Sequence, residues 1–156
     1  MALPLKSLER ITEADLLALI QAGQAESKII EYKETLPGNA DTDKKEFLYD
    51  VSSFANAVGG TLVYGMKAQD GVPVGLIGIS GLTPDAEKLR LNAIIQSGVQ
   101  PRIPGVQIET VGLANTNKAL LIGIPRSWAS PHMITFKGTS KFYSRHSNGK
   151  YQLAGC

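Results

Sequence analysis

Residues 43–66 leave this chain the least freedom. Phe47, Leu48, Val51, Phe54, Ala55 and Val58 recur at helical spacing, so residues 43–58 are expected to form an amphipathic helix. The pair Gly59-Gly60 ends that helix and lets the chain turn sharply into an apolar strand over 61–66. Phe54 and Ala55 read as packing at the helix end. Asn56 can bond nearby backbone, and Gly65 permits close approach of another backbone or a ligand.

The elements around this unit follow from local signals. Thr12 opens a helix with Asp15 three residues on, an approximate capping box in which Asp replaces the usual Glu or Gln. Leu16, Leu17, Leu19 and Ile20 give its apolar face, and Gly23 is its stop. Residues 27–34 read as a strand that alternates from Ile30 onward, with Ile30 and Tyr32 on one face and Glu31 and Lys33 on the other. Leu36-Pro37-Gly38-Asn39 is a turn. Asp70-Gly71 joins the strand over 61–66 to another over 72–77 as a hairpin. Thr83-Pro84-Asp85 starts a helix that reaches Gln96. Residues 106–113 and 118–124 pair around Asn115-Thr116-Asn117, and two short β segments follow over 133–136 and 141–144.

This order predicts an α+β fold, a mixed β-sheet with covering helices. A chain of 156 residues with 43% hydrophobic content is one ordinary globular domain. The expected division is an N-terminal helix within 1–24 and a domain over 25–153. The ending Ala154-Gly155-Cys156 suggests the N-terminal part of a longer protein, whose C-terminal domains would be missing.

No stretch of about 18 apolar residues is present, so no membrane helix is expected, and the first ten residues lack a secretory pattern. The one cysteine cannot form an intrachain disulfide or a multi-cysteine zinc site, which fits a cytoplasmic, reducing location. The net charge is only +2, but it is unevenly placed. Residues 1–109 hold 10 Lys and Arg against all 14 Asp and Glu, whereas residues 110–156 hold 6 Lys and Arg and no acid. That asymmetry points to an anionic partner for the C-terminal part, balanced against a merely solvated basic face.

Two groups of residues have the right chemistry for a site. Glu26, Glu31 and Lys33 lie at or near the first strand. Two converging carboxylates can hold Mg²⁺ or Mn²⁺, and a neighbouring lysine can neutralise charge on a phosphate. Alternating Glu and Lys on a strand face also serves simply to discourage edge pairing. The second group is the tail, where Arg126, Lys137, Lys141, Arg145 and Lys150 alternate with Trp128, Phe136, Phe142, Tyr143 and Tyr151. Interleaved cations and aromatics suit phosphate contact and base stacking. Phe142 is expected in the core and Trp128 in a loop. His132 and His146 have no metal-ligand spacing. There is no P-loop, GxSxG or HExxH.

The chain resembles the Schlafen AlbA-like family, also labelled divergent AAA or DNA-binding. The matching residues are Glu26-Ser27, Glu31-Tyr32-Lys33-Glu34, Phe54-Ala55-Asn56, Gly59-Gly60, Leu62, Gly65, Asp70-Gly71, Val74-Gly75-Leu76, Arg126-Ser127, Pro131-His132, Phe142-Tyr143 and Arg145. The resemblance implies an α/β fold that binds DNA or RNA, at the N-terminus of a regulator-like bacterial protein. In animal Schlafen proteins two such units form a basic groove that cleaves structured RNA at a metal-dependent site. The two glutamates of that site match Glu26 and Glu31, but Lys67 stands at the aspartate position, leaving Asp70 as the only nearby replacement. The zinc-site cysteines are absent, and no Walker motif supports the ATP binding that one family label suggests. The expectation is therefore a nucleic-acid-binding domain. A metal-dependent endoribonuclease using Glu26, Glu31 and Lys33 is the first alternative. A dimerisation module, a homodimer whose strands pair across a two-fold axis, is the other.

Overall fold

The computed structural model describes residues 7–153. After a 3-10 turn at Leu8–Arg10 come α1 (Glu13–Gln21), β1 (Ile30–Lys33), α2 (Asp41–Ala55), β2 (Gly59–Tyr64), β3 (Met66–Gln69), β4 (Val72–Leu76) and α3 (Pro84–Gly98). The rest is β5 (Val99–Gln100), β6 (Gln107–Gly112), β7 (Lys118–Pro125), β8 (Met133–Ile134), β9 (Lys141–His146) and β10 (Gly149–Gln152). The architecture is α+β, as expected. A central sheet has the order β1-β2-β7-β6, with β1 parallel to β2 and the other pairs antiparallel. A smaller sheet has the order β10-β9-β8-β5, and β3-β4 is a separate hairpin.

Period-2 alternation divides the central sheet between two cores. Leu62 and Tyr64 of β2 and Leu120, Ile122 and Ile124 of β7 pack with Phe47, Val51 and Phe54 of α2 and Leu91 and Ile95 of α3. The intervening Val63, Ala119 and Leu121 pack on the other face with Leu16 and Leu19 of α1 and Ile30 and Tyr32 of β1. The N-terminal helix thus shares a core with the sheet. Its predicted capping box is present: Asp15 N–H donates to Thr12 Oγ1 and Thr12 N–H to Asp15 Oδ2.

The helix α2 lies between the two sheets, touching β2 and β7 on one side and β8 and β9 on the other. Its residues from Phe47 to Ala55 are buried except for Tyr49, which is partly covered. Burial on nearly all sides explains why its apolar residues are not confined to one narrow stripe.

Several boundaries differ from the sequence reading. The helix expected over 43–58 stops at Ala55, and Val58 is exposed, because β2 already begins at Gly59. A side chain at Gly60 would lie 2.5 Å from Ile29 O and 2.6 Å from the Phe54 ring. The strand expected over 61–66 breaks at Gly65 (φ +93°), so the hairpin partner of β4 is β3 and not the buried strand. The Gly65 carbonyl accepts the N–H groups of both Ile77 and Gly78, and a Cβ there would sit 2.8 Å from Gly78 Cα. The strand over 27–34 shortens to four residues. Phe136 belongs to a 3-10 turn, Phe142 is only half-buried, and β10 adds a strand that the sequence did not suggest.

Candidate functional site

Glu31 and Lys33 do share a face of β1, and that face meets α2. There Asp50 falls within the apolar stripe of the helix, one residue before Val51. Lys33 Nζ lies 3.0 Å from Glu31 Oε2 and 3.3 Å from Asp50 Oδ2. Lys150 Nζ lies 2.8 Å from Asp50 Oδ1 and also pairs with Glu46. Arg145 Nη1 donates to Glu31 Oε1 at 2.9 Å. Acids and bases thus alternate along one path: Arg145, Glu31, Lys33, Asp50, Lys150, Glu46.

Arg145 is 3% exposed and is held by further contacts. Its Nη2 donates to Ser27 O at 2.9 Å, its Nε to Lys28 O at 3.3 Å, and its guanidinium lies 4.0 Å from the Phe54 ring centroid. Burial pushes the Glu31 carboxyl up, but the charges of Lys33 and Arg145 outweigh it and hold the group below its ordinary value. Asp50 behaves oppositely. Burial and the Glu31 charge raise its carboxyl to about 6 against the pull of Lys33 and Lys150. Lys33 and Lys150 are both held protonated, because the carboxylates around them overcome their burial.

This network separates two clefts. One of about 520 Å³ is lined by Glu26, Glu31, Lys33, Asp70, Arg145 and Lys150 among others. The other, about 420 Å³, has Lys33, Asp43, Glu46, Asp50, Phe47 and Tyr64 in its wall. Glu26, Glu31 and Asp70 therefore do border one space, but they do not form the expected metal site. Each Glu31 oxygen already has a cation, and Glu26 Oε2 accepts the Tyr32 N–H at 3.0 Å. Among the described residues no three His, Cys, Asp or Glu side chains are grouped to hold a metal ion. Lys67, at the third acidic position of the family pattern, is exposed on β3. The residues present do not fit a Mg²⁺ or Mn²⁺ centre.

A second buried cluster joins the end of α2 to the tail. Asn56 Oδ1 accepts the His132 N–H at 2.7 Å, and its Nδ2 donates to the carbonyls of His132 (3.1 Å) and Tyr143 (2.8 Å). The His132 ring is fully buried, with Nδ1 2.6 Å from Pro101 O and Nε2 2.6 Å from Ser127 Oγ. A carbonyl can only accept, so Nδ1 donates to Pro101 O; in the tautomer with its one proton on Nδ1, Nε2 accepts from the Ser127 hydroxyl. Ser127 Oγ in turn accepts the Ala129 N–H, and Ser127 N–H donates to Ala55 O. Asn56 and His132 thus act as structural pins between segments far apart in sequence.

Between these pins the chain projects outward. Trp128 is 88% exposed, while its neighbour Ser127 is 4% exposed. The Arg126 guanidinium lies over the indole at 4.9 Å. Lys137 and Lys141 are exposed too, Lys137 beside the Phe136 ring and Lys141 beside Tyr49. Arg126, Lys137 and Lys141 carry no ion pair among the described residues. The six proposed nucleic-acid contacts therefore separate. Arg126, Lys137 and Lys141 are free at the surface; Lys33 and Lys150 are half-buried in ion pairs; Arg145 is internal and corrects the expectation of a surface contact. Sequence reasoning missed Asp50 and Glu46, although an aspartate within the apolar stripe of a helix is a readable sign of a buried partner.

No helix among the described residues is long and apolar enough to cross a membrane. No curated protein matches the chain. Among solved structures, one similar chain is the N-terminal domain of a protein from Nitrosomonas europaea related to the ATP-dependent DNA helicase RecG. It has 20% identity and a TM-score of 0.57, and the match covers 94% of this chain and 90% of that one. Another is the DIP2311 protein from Corynebacterium diphtheriae, with 17% identity and a TM-score of 0.56 over 90% of this chain. The match spans only 26% of that longer chain. These likenesses establish a shared fold. The family model described as Schlafen, AlbA_2 matches residues 26–154. That span takes in the Glu31–Arg145 pair, the Asn56 hub and the exposed Trp128 loop, and by it the chain belongs to the Schlafen AlbA_2 family.

Proposed function

We propose that this domain binds nucleic acid through its acid-free C-terminal segment, as the DNA- or RNA-contacting part of a regulator-like protein. The observation that carries this reading is the exposed Arg126–Trp128 pair, fixed on a buried anchor in a segment that also exposes Lys137 and Lys141. Unpaired surface cations attract phosphates, and an exposed aromatic ring offers a base a stacking surface. Family membership and the fold shared with a helicase-related N-terminal domain support the same reading.

Fluorescence anisotropy of labelled DNA and RNA across a salt series tests it. The expected result is binding that weakens as salt rises and falls sharply in a Lys137→Glu/Lys141→Glu variant. An absence of salt-dependent binding at micromolar protein refutes it. Hydrolysis is not part of this reading, because the Glu31 carboxylate is engaged with Arg145 and Lys33. RNA incubated with Mn²⁺ should give the same background with wild type and Glu31→Ala. Products lost only in a variant that still folds would reverse that judgement.

A further inference from the structure

Trp128 lies between two residues with opposite surroundings from its own. Ser127 is held by Ala55 and His132, and the His132 backbone is held by Asn56. Both anchors are buried, yet the loop they fix leaves the largest apolar side chain of the tail in solvent. A tryptophan in that position forgoes the burial that most strongly favours so large an apolar side chain. A lone exposed aromatic needs no explanation by itself. This one, however, has a guanidinium 4.9 Å from its ring centroid and sits in a sequence with no Asp or Glu from residue 110 onward.

We infer that Trp128 is a stacking platform for one unpaired base, so that the domain prefers single-stranded nucleic acid to duplex. The inference rests on the nucleic-acid-binding reading and narrows it. Arg126 lies over the indole at 4.9 Å, and the exposure of the side chain leaves ring surface open. A base laid there completes an aromatic stack, while Arg126 supplies positive charge for the adjoining phosphate. A base paired inside a duplex does not expose its face, so a duplex gains only the phosphate contacts. Because Ser127 and His132 already fix the loop, little ordering is left to oppose binding. Trp and Arg also dominate protein–protein contacts, but the exposed cations and lack of acid favour an anionic polymer.

Trp128 is the only tryptophan in the chain, so its fluorescence reports directly on this ring. Four probes suffice: oligo-dT and oligo-dA of about 20 nucleotides, the duplex of the two, and inorganic polyphosphate. The single strands should quench the emission strongly, and the duplex and polyphosphate should leave it nearly unchanged. By anisotropy, Trp128→Ala should bind the single strands about 5- to 150-fold more weakly than wild type, and Trp128→Phe should fall between them. Because the side chain is exposed, circular dichroism should show both variants folded.

The outcomes separate the two claims. Salt-dependent binding with no quenching, and with Trp128→Ala unchanged, removes the stacking platform and leaves the binding function. Equal quenching by duplex and single strand removes the single-strand preference. Emission that changes with protein concentration alone marks the ring as a protein contact and overturns the inference. If neither these probes nor labelled single-stranded RNA binds, both readings fail.

Discussion

Glu31→Gln probes the contact that joins the first strand to the last hairpin. The substitution keeps the shape of the side chain but removes its charge. Arg145 then keeps a positive charge in a site where its side chain is fully shielded from solvent. Removing one partner of a buried ion pair costs about 3–5 kcal/mol, mostly from the charge left behind. Gln retains one carbonyl acceptor for Nη1, and Lys33 keeps Asp50, so the lower figure, about 3 kcal/mol, applies. With a urea m-value of about 2 kcal/mol/M, the unfolding midpoint should fall by roughly 1.5 M at unchanged slope.

The double variant Glu31→Leu/Arg145→Met removes both charges and should recover more than half of the stability that Glu31→Leu alone loses. That non-additivity is the signature of a direct pair. A loss below about 0.5 kcal/mol, or strictly additive variants, would refute the claim that this pair joins the first strand to the last hairpin. The sign also carries information. A residue kept in a strained site for activity often stabilises the fold when it is replaced, whereas a structural ion pair destabilises it.

Three further perturbations have definite directions. Asp50 has its folded-state pKa raised from 3.8 to about 6, so the native state holds this proton more tightly than the unfolded chain. Its contribution therefore makes stability rise as pH falls through 6, by about 1.4 kcal/mol per pH unit between 6 and 4 at most, and denaturation at several pH values should show Asp50→Asn lacking that rise. Glu31, held low, contributes in the opposite sense only below its ordinary 4.5, which leaves the range from pH 5 to 7 to the Asp50 comparison. Asn56→Ala removes an acceptor and a two-way donor that tie α2 to β9 and His132; a loss of about 3 kcal/mol is expected in the same unfolding assay. Gly65→Ala places a side chain at φ +93° and 2.8 Å from Gly78 Cα, so a loss of about 2–3 kcal/mol is expected, and a neutral result would show that the β2–β3 break can relax.

The unit most legible in the sequence was the one with the strongest local signals. Helical periodicity from Phe47 to Ala55 and the apolar run after Gly60 gave the two elements of the α2–β2 layer in the right order, but the helix ends at Ala55, before the glycine pair, and Gly59 and Gly60 already belong to β2. The breaks were less legible because they depend on distant backbone. At Gly65 the sequence signalled a close approach of backbone, but it could not show that Gly78 is the partner or that the strand breaks there. Of the candidate site, alternation placed Glu31 and Lys33 on one face correctly. It could not show that Arg145, 114 positions later, would return to that face and engage the carboxylate. Asn56 was recognised as able to bond backbone, but its partners lie 76 and 87 positions away.

The basic tail shows how net charge misleads when topology is unknown. Arg145 and Lys150 lie directly opposite each other in the β9–β10 ladder. Like charges in that position repel, so the pair is tolerable only if acids from elsewhere pair with them. Glu31, Asp50 and Glu46 do so, and all three come from the acidic first part of the chain. The charge asymmetry between the two parts is therefore partly internal attraction, and only Arg126, Lys137 and Lys141 remain as exposed, unpaired cations from the tail proper. Binding to a single strand should then follow salt with a log–log slope of about −2, from three phosphate contacts, where six would give about −4. A slope near −4 would mean that Lys33, Arg145 and Lys150 all leave their carboxylates to meet phosphate, which requires the β9–β10 hairpin to come away from α2 and β1.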